Sequence, residues 1–237
     1  MSSIFNYNNP VLRFIGGVID VIVLHLCWIL CSLPIVTLGA STAALYYTLM
    51  NDITDENGAY VKCFFKSFRD NLWPGIRLTL VLLLVGGILA ASLYSVKQMD
   101  LGGMQSFIQG LDILVIVCLI LAMQYMFVLL GYFHVKLMDL MQNALFLALR
   151  HFGRTIMMLC VPVAMFAAIY YIGFYALILP GFGLVAYLDC YILKPVIMPL
   201  VRKARGEDEE EPPKEEDGNK KNGFMGWIKR PKKKYEV

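Results

Sequence analysis

Apolar residues along this chain fall in long runs, and a bilayer asks for runs of about 20 mostly apolar residues per helical crossing. The first covers roughly 12–36. The second covers 73–96, uncharged from 78 to 96, and the third 112–135, uncharged from 113 to 135. A fourth stretch is uncharged over 34 residues, 155–188. At about 1.5 Å per residue it is too long for one ordinary crossing. The "LPGFG" at 179–183 supplies turn chemistry inside it and divides it into helices near 155–179 and 182–201. The pattern predicts an all-α integral membrane protein with about five transmembrane helices over 1–201 and a charged tail over 202–237.

Two polar connections carry a helical period. In "AYVKCFFKSFRDNL" (59–72), Val61, Phe64, Phe65, Phe68 and Leu72 recur at spacings of three and four, with Lys62, Lys66, Arg69 and Asp70 on other faces. "KLMDLMQNALFLALRHFGR" (136–154) repeats the design. Both predict amphipathic helices at the membrane surface, each feeding a membrane helix. A shift of 81 residues superposes Arg69 on Arg150. One shared arginine leaves open whether the halves are duplicated.

The first run is interrupted. Pro34 removes a backbone donor and clashes with the preceding turn. Ser32 and Thr37 offer oxygens nearby, and Thr37 is placed to cap a new helix. Gly39 with Ala43, and Ala40 with Ala44, make small-xxx-small pairs that let helix backbones approach. The expectation is a Pro-broken first crossing whose short second piece, 38–50, packs inside the bundle. The break at Pro34, Thr37, Gly39 and Ala43 reads either as a structural device or as a binding element.

Composition agrees with the pattern. The 237 residues are 58% hydrophobic and 16% charged, against roughly a quarter charged in soluble domains. Charge is concentrated: residues from Arg202 onward hold 11 Lys/Arg and 9 Asp/Glu. Lys62, Lys66, Arg69 and Arg77 precede the second crossing, while Lys136, Arg150 and Arg154 lie between the third and fourth. Five crossings put both groups and the basic tail on one side, leaving Arg13 and Lys97 opposite. Cytoplasmic loops favour Lys and Arg, so the N-terminus is expected outside and the C-terminus in the cytoplasm of a bacterial cell membrane. A four-helix arrangement would separate the tail from the other basic segments. Within the tail, "GEDEEEPPKEEDGNK" is expected to stay disordered. "FMGWIKRPKKKY" reads either as a contact with anionic lipid or as a solvated end.

Chemistry is sparse. No HExxH, P-loop, GxGxxG or GxSxG is present, and neither an enzyme, a metal site nor a cofactor is expected. The six cysteines sit mostly in apolar runs, with no CxxC, and read as reduced thiols. His25 reads as a hydrogen-bonded helix contact rather than a ligand. Asp189 is the ionisable group of interest. It falls within the fifth crossing, where a bare carboxylate costs a few kcal/mol or more. Lys194, five residues on, is a candidate partner, and the pair is a candidate intramembrane polar site, functional or structural. Phe65, Phe68, Arg69, Asn71 and Arg150 form a candidate cytoplasmic partner surface. Nothing points to nucleic acid.

The runs "CWILCSLPIVTLGASTAALYYTL" and "FFKSFRDNLWPG" resemble the YesL-like family, a bacterial membrane family of unknown function. The matching positions are Leu33, Pro34, Thr37, Gly39, Ala40, Ala44, Leu45, Tyr46, Tyr47, Phe65, Phe68 and Asn71. The strong match covers about 1–80; beyond it the likeness is one of hydropathy and length. The family's association with carbohydrate uptake and two-component sensing implies a non-catalytic accessory subunit of a carbohydrate ABC importer. Its partners would be the bilayer and the permease and ATPase subunits. The alternatives are an autonomous small transporter or channel, or a membrane partner of a sensor kinase.

Overall fold

The computed structural model describes residues 10–51, 59–98, 103–133, 135–172 and 181–205. The helices are α1 (Pro10–Ser32), α2 (Leu38–Met50), α3 (Ala59–Gln98), α4 (Gly103–Tyr132), α5 (Leu137–Arg150), α6 (Phe152–Ile172) and α7 (Gly181–Arg205). A single 3-10 turn, Ile35–Thr37, lies between α1 and α2, and there is no strand among the described residues. Helices α3, α4 and α7 are each long and apolar enough to cross a membrane. The pair of α5 with the first part of α6 qualifies as one bent unit, at 98°. The chain is therefore an all-α membrane protein with three such helices among the described residues, or four with the bent pair. The apolar stretches Gly16–Ser32 and Ile35–Met50 are shorter.

The break at Pro34 is present, and its chemistry is local. Helix α1 stops at Ser32 and leaves its last carbonyls without intrahelical donors. The Thr37 hydroxyl lies 2.7 Å from both the Cys31 and the Pro34 carbonyl and serves them as a donor. It does not cap α2 as the sequence suggested. The chain then turns back sharply. Along a straight helix, residues 28 and 42 would stand about 20 Å apart. Instead the Trp28 indole N–H donates to Thr42 Oγ1 at 3.1 Å, and the Ser32 and Ser41 hydroxyls meet at 2.7 Å.

Helix α2 is where the fold is tightest. Of its 13 residues, all but Leu38 and Leu49 are buried. A Cβ built on Gly75 of α3 would lie 2.6 Å from the Ala40 backbone nitrogen. One built on Gly131 of α4 would lie 3.0 Å from the Ala43 carbonyl oxygen. Glycine at both positions lets backbone meet backbone, the contact for which small residues are used inside membranes. The cap that Thr37 does not supply comes from α3. Thr79 Oγ1 accepts the Gly39 N–H at 3.0 Å while donating to the Gly75 carbonyl at 2.9 Å.

The segment 59–72, expected as a separate surface helix, is the first third of α3, which runs on through Pro74. Its buried face is Phe64, Ser67, Asn71, Gly75 and Leu78, spaced by three or four and packed toward α2. Helices α3 and α4 follow one another across residues 99–102 and pack as an antiparallel pair, tied by Ser92 donating to Asp112 at 2.7 Å. Helix α5 buries Leu140, Ala144, Leu147 and Ala148. At its elbow with α6, Thr155 Oγ1 donates within reach of the Ala148 carbonyl (2.9 Å) and the His151 carbonyl (3.1 Å). That same hydroxyl is 3.0 Å from the Tyr125 hydroxyl of α4. Residues 1–9, most of the tail (206–237), His134 and 173–180 lie outside the described residues.

The close packing predicts opposite outcomes for four glycines. Gly75→Ala and Gly39→Ala force atoms into occupied space. They should lower stability in detergent by about 1–3 kcal/mol, the usual cost of overpacking. Gly86→Ala and Gly87→Ala meet nothing within 4 Å and should be neutral, or stabilising by about 0.5–1 kcal/mol. Thermal unfolding of the four variants side by side distinguishes the two pairs.

Candidate functional site

The site is built where α7 lies against α1 and α2. Helix α7 starts at Gly181 with φ +28°, a left-handed value that favours glycine. A side chain there would run into the His25 imidazole. His25 is buried, and its Nδ1 accepts the Gly183 backbone N–H at 3.2 Å. The ring also stacks near Trp28, centroids 5.9 Å apart, and Trp28 stacks on Phe182 at 4.4 Å. His25 is thus a helix contact, and it does for α7 what Thr79 does for α2. In each case a neighbouring helix supplies the acceptor for an N-terminal backbone donor.

Two turns further along α7, Asp189 is 2% exposed. Its Oδ2 accepts the hydroxyl of Tyr46 from α2 at 3.0 Å, and Tyr46 is itself 3% exposed. Oδ1 is buried with no hydrogen-bond partner among the described residues. The adjacent Cys190 thiol points at the Tyr46 carbonyl, 3.9 Å away. The donor to Asp189 is therefore Tyr46 and not Lys194. Five residues along a helix turn the side chain by about 140°, so Lys194 leaves the face that Asp189 occupies. Lys194 is half-buried.

The sequence-level candidates separate in space. Thr37, Gly39 and Ala43 belong to the α1–α2 turn and the buried face of α2, while Pro34 is exposed at the turn itself. Phe65, Arg69 and Arg150 are exposed at the polar ends of α3 and α5. Phe68 is half-buried and stacked on Phe64 at 6.5 Å. Asn71 does not belong to that surface. It is 1% exposed, on the α2-facing side of α3, and donates to Ser67 Oγ at 3.2 Å. Among the described residues no three His, Cys, Asp or Glu side chains converge as a metal site would require.

Sequence reasoning missed Tyr46, Gly75 and Thr79. A usable signal existed for Tyr46: a lone intramembrane acid needs a donor, and the buried helix α2 offered several hydroxyls, that of Tyr46 among them. The partnership of Thr79 with Gly39, 40 residues away, has no local signature.

Residues 21–93 match the model of a family described as a protein of unknown function, DUF624. The match takes in the sharp turn, α2 and most of α3, including Gly39, Gly75 and Thr79. No curated protein and no solved structure matches the chain.

The Tyr46–Asp189 bond predicts coupled losses. Tyr46→Phe leaves a buried carboxyl without its donor and should cost about 1–3 kcal/mol in detergent. Asp189→Ala strands the tyrosine hydroxyl by a similar amount. Because the two share one bond, the double variant should lose clearly less than the sum. Strict additivity of the two losses would mean that the bond contributes nothing.

Proposed function

We propose that this chain is a YesL-like protein of the bacterial cell membrane and a non-catalytic accessory subunit of a carbohydrate ABC importer. Its basic end and C-terminus would face the cytoplasm, and the turn-back at Pro34, which returns α2 along α1, speaks against counting α1 as the first of five crossings with an exterior N-terminus. The observation that carries the reading is the surface offered by the first turns of α3 and by α5. Phe65 and Arg69 are exposed on one, and Phe146, Leu149 and Arg150 on the other. Aromatic and arginine side chains together are what protein interfaces enrich. The 98° elbow supports α5 as a surface helix, since a helix square to a crossing lies along the membrane plane. The run "NALFLALRHFGRTIMMLCVP" (143–162) also resembles the permease loop that docks an ATPase, but lacks that loop's acidic start and central glycine in register.

Purification in mild detergent with mass spectrometry of the co-eluting proteins tests this. The expected result is a permease, ATPase or solute-binding protein, with recovery reduced at least several-fold by Phe65→Ala with Arg150→Ala. Recovery of none of these would count against the importer reading, and recovery of a histidine kinase would favour the sensor alternative.

Asp189 supports a second reading, as an autonomous transporter or channel. A buried carboxyl with one oxygen unpartnered is a feature that a purely structural contact does not need. That reading predicts substrate flux in proteoliposomes holding this chain alone, lost in Asp189→Asn. Lack of flux in the wild type would remove it.

A further inference from the structure

The helices bring their cations to one end. Lys62, Lys66, Arg69 and Arg77 form an exposed stripe at the start of α3, with Trp73, 70% exposed, within it. Helix α4 runs antiparallel to α3 and delivers its C-terminus, then Lys136, to that same end. Arg150 and Arg154 flank the α5–α6 elbow, which Thr155 ties to Tyr125 of α4. Partial burial, then the charges of Arg154 and Arg150, lower the pKa of His151 at the elbow between them. Helix α7 passes Tyr46 at Asp189 and continues to Arg202 and Lys203, both exposed. Against these nine cations the described part of this end holds Asp70 and Asp139; the connection 52–58 adds Asp52, Asp55 and Glu56 by sequence.

The chain continues beyond Arg205 from this basic end, and its next segment has the opposite sign. Residues 207–217 carry eight carboxylates and one lysine, Lys214. Twelve residues of extended chain reach about 40 Å, enough to cross the end of a helix bundle. We propose that segment 207–217 folds back onto the basic end and covers the stripe on α3 and the elbow of α5.

Lipid headgroups are the competing occupant, and the length of α3 argues against them. Asp112 of α4 stands level with Ser92 of the antiparallel α3, so the uncharged run 113–135 ends about level with residue 69 of α3. Lys62 lies seven residues farther out, about 10 Å along a continuous helix. The headgroup layer is only about 5–8 Å deep on each side, so it serves Arg69 and Lys66 but falls short of Lys62. The basic stretch 220–234 is the other candidate for the acidic segment. Single ion pairs in water contribute little, whereas fixed cations on packed helices sum their potential. A segment held on this surface competes with any acidic partner for it, and the contact holds whether or not the importer reading does.

Zero-length carbodiimide coupling of the full chain in nanodiscs, mixing isotopically light and heavy protein, tests the proposal. Carboxylates of 207–217 should join Lys62, Lys66, Lys136 or Lys203 within one chain, in yields falling several-fold at 1 M salt as screening shortens to about 3 Å. Coupling confined to lysines 220–234, or found only between light and heavy chains, would overturn it. Loss of coupling on adding anionic lipid would give the surface to headgroups instead. Lysine acetylation rates supply a second measure. Changing all eight carboxylates to amides should speed modification of Lys62 and Lys136 several-fold, and unchanged rates would contradict the contact.

Discussion

The fold depends on backbone meeting backbone around α2. A 13-residue helix is short for a crossing, and its first donors are buried away from water. Two glycines on neighbouring helices, Gly75 and Gly131, let it approach closely enough for main-chain contact. Once there, it can be capped only by a side chain from another element, and Thr79 performs that role. His25 does the same for α7. The sharp turn at Pro34, the continuous α3 and the position of α7 all follow from seating this one helix.

The seating also fixes what the interior can do chemically. Tyr46 lies on α2 between the flanking helices, and its hydroxyl is directed at Asp189. The only buried acid among the described residues is therefore tied to the central helix rather than to a neighbour on its own helix. Groups that serve partners or charge lie elsewhere, at the end where α3 begins, α4 finishes and α5 turns into α6. Interior and basic end are joined through α3, whose Phe64, Ser67 and Asn71 pack inward while Lys62, Phe65 and Arg69 face outward.

The sequence reveals some of this clearly. Long apolar runs located α3, α4 and α7, because lipid imposes a length on any crossing. The proline and the small residues after it marked the turn and the buried helix. What stayed hidden was contact at long sequence separation. Asn71 looked like a surface residue because its neighbours Arg69 and Asp70 are charged, yet the face it shares with Phe64 and Gly75 is the buried one. Lys194 looked like the partner of Asp189 because it was close in sequence, while the real donor lay 143 residues away. Thr37 looked like a cap and instead closes the end of the preceding helix.

Amide hydrogen exchange across α2, followed in nanodiscs, tests the seated helix most directly. Protected amides report packed and bonded backbone, and exposed or loosely docked helices exchange early. The account predicts that residues 39–48, Gly39 included, exchange as slowly as the buried half of α4. Exchange of this stretch within the time of an unprotected surface helix, while α4 stays protected, would contradict it.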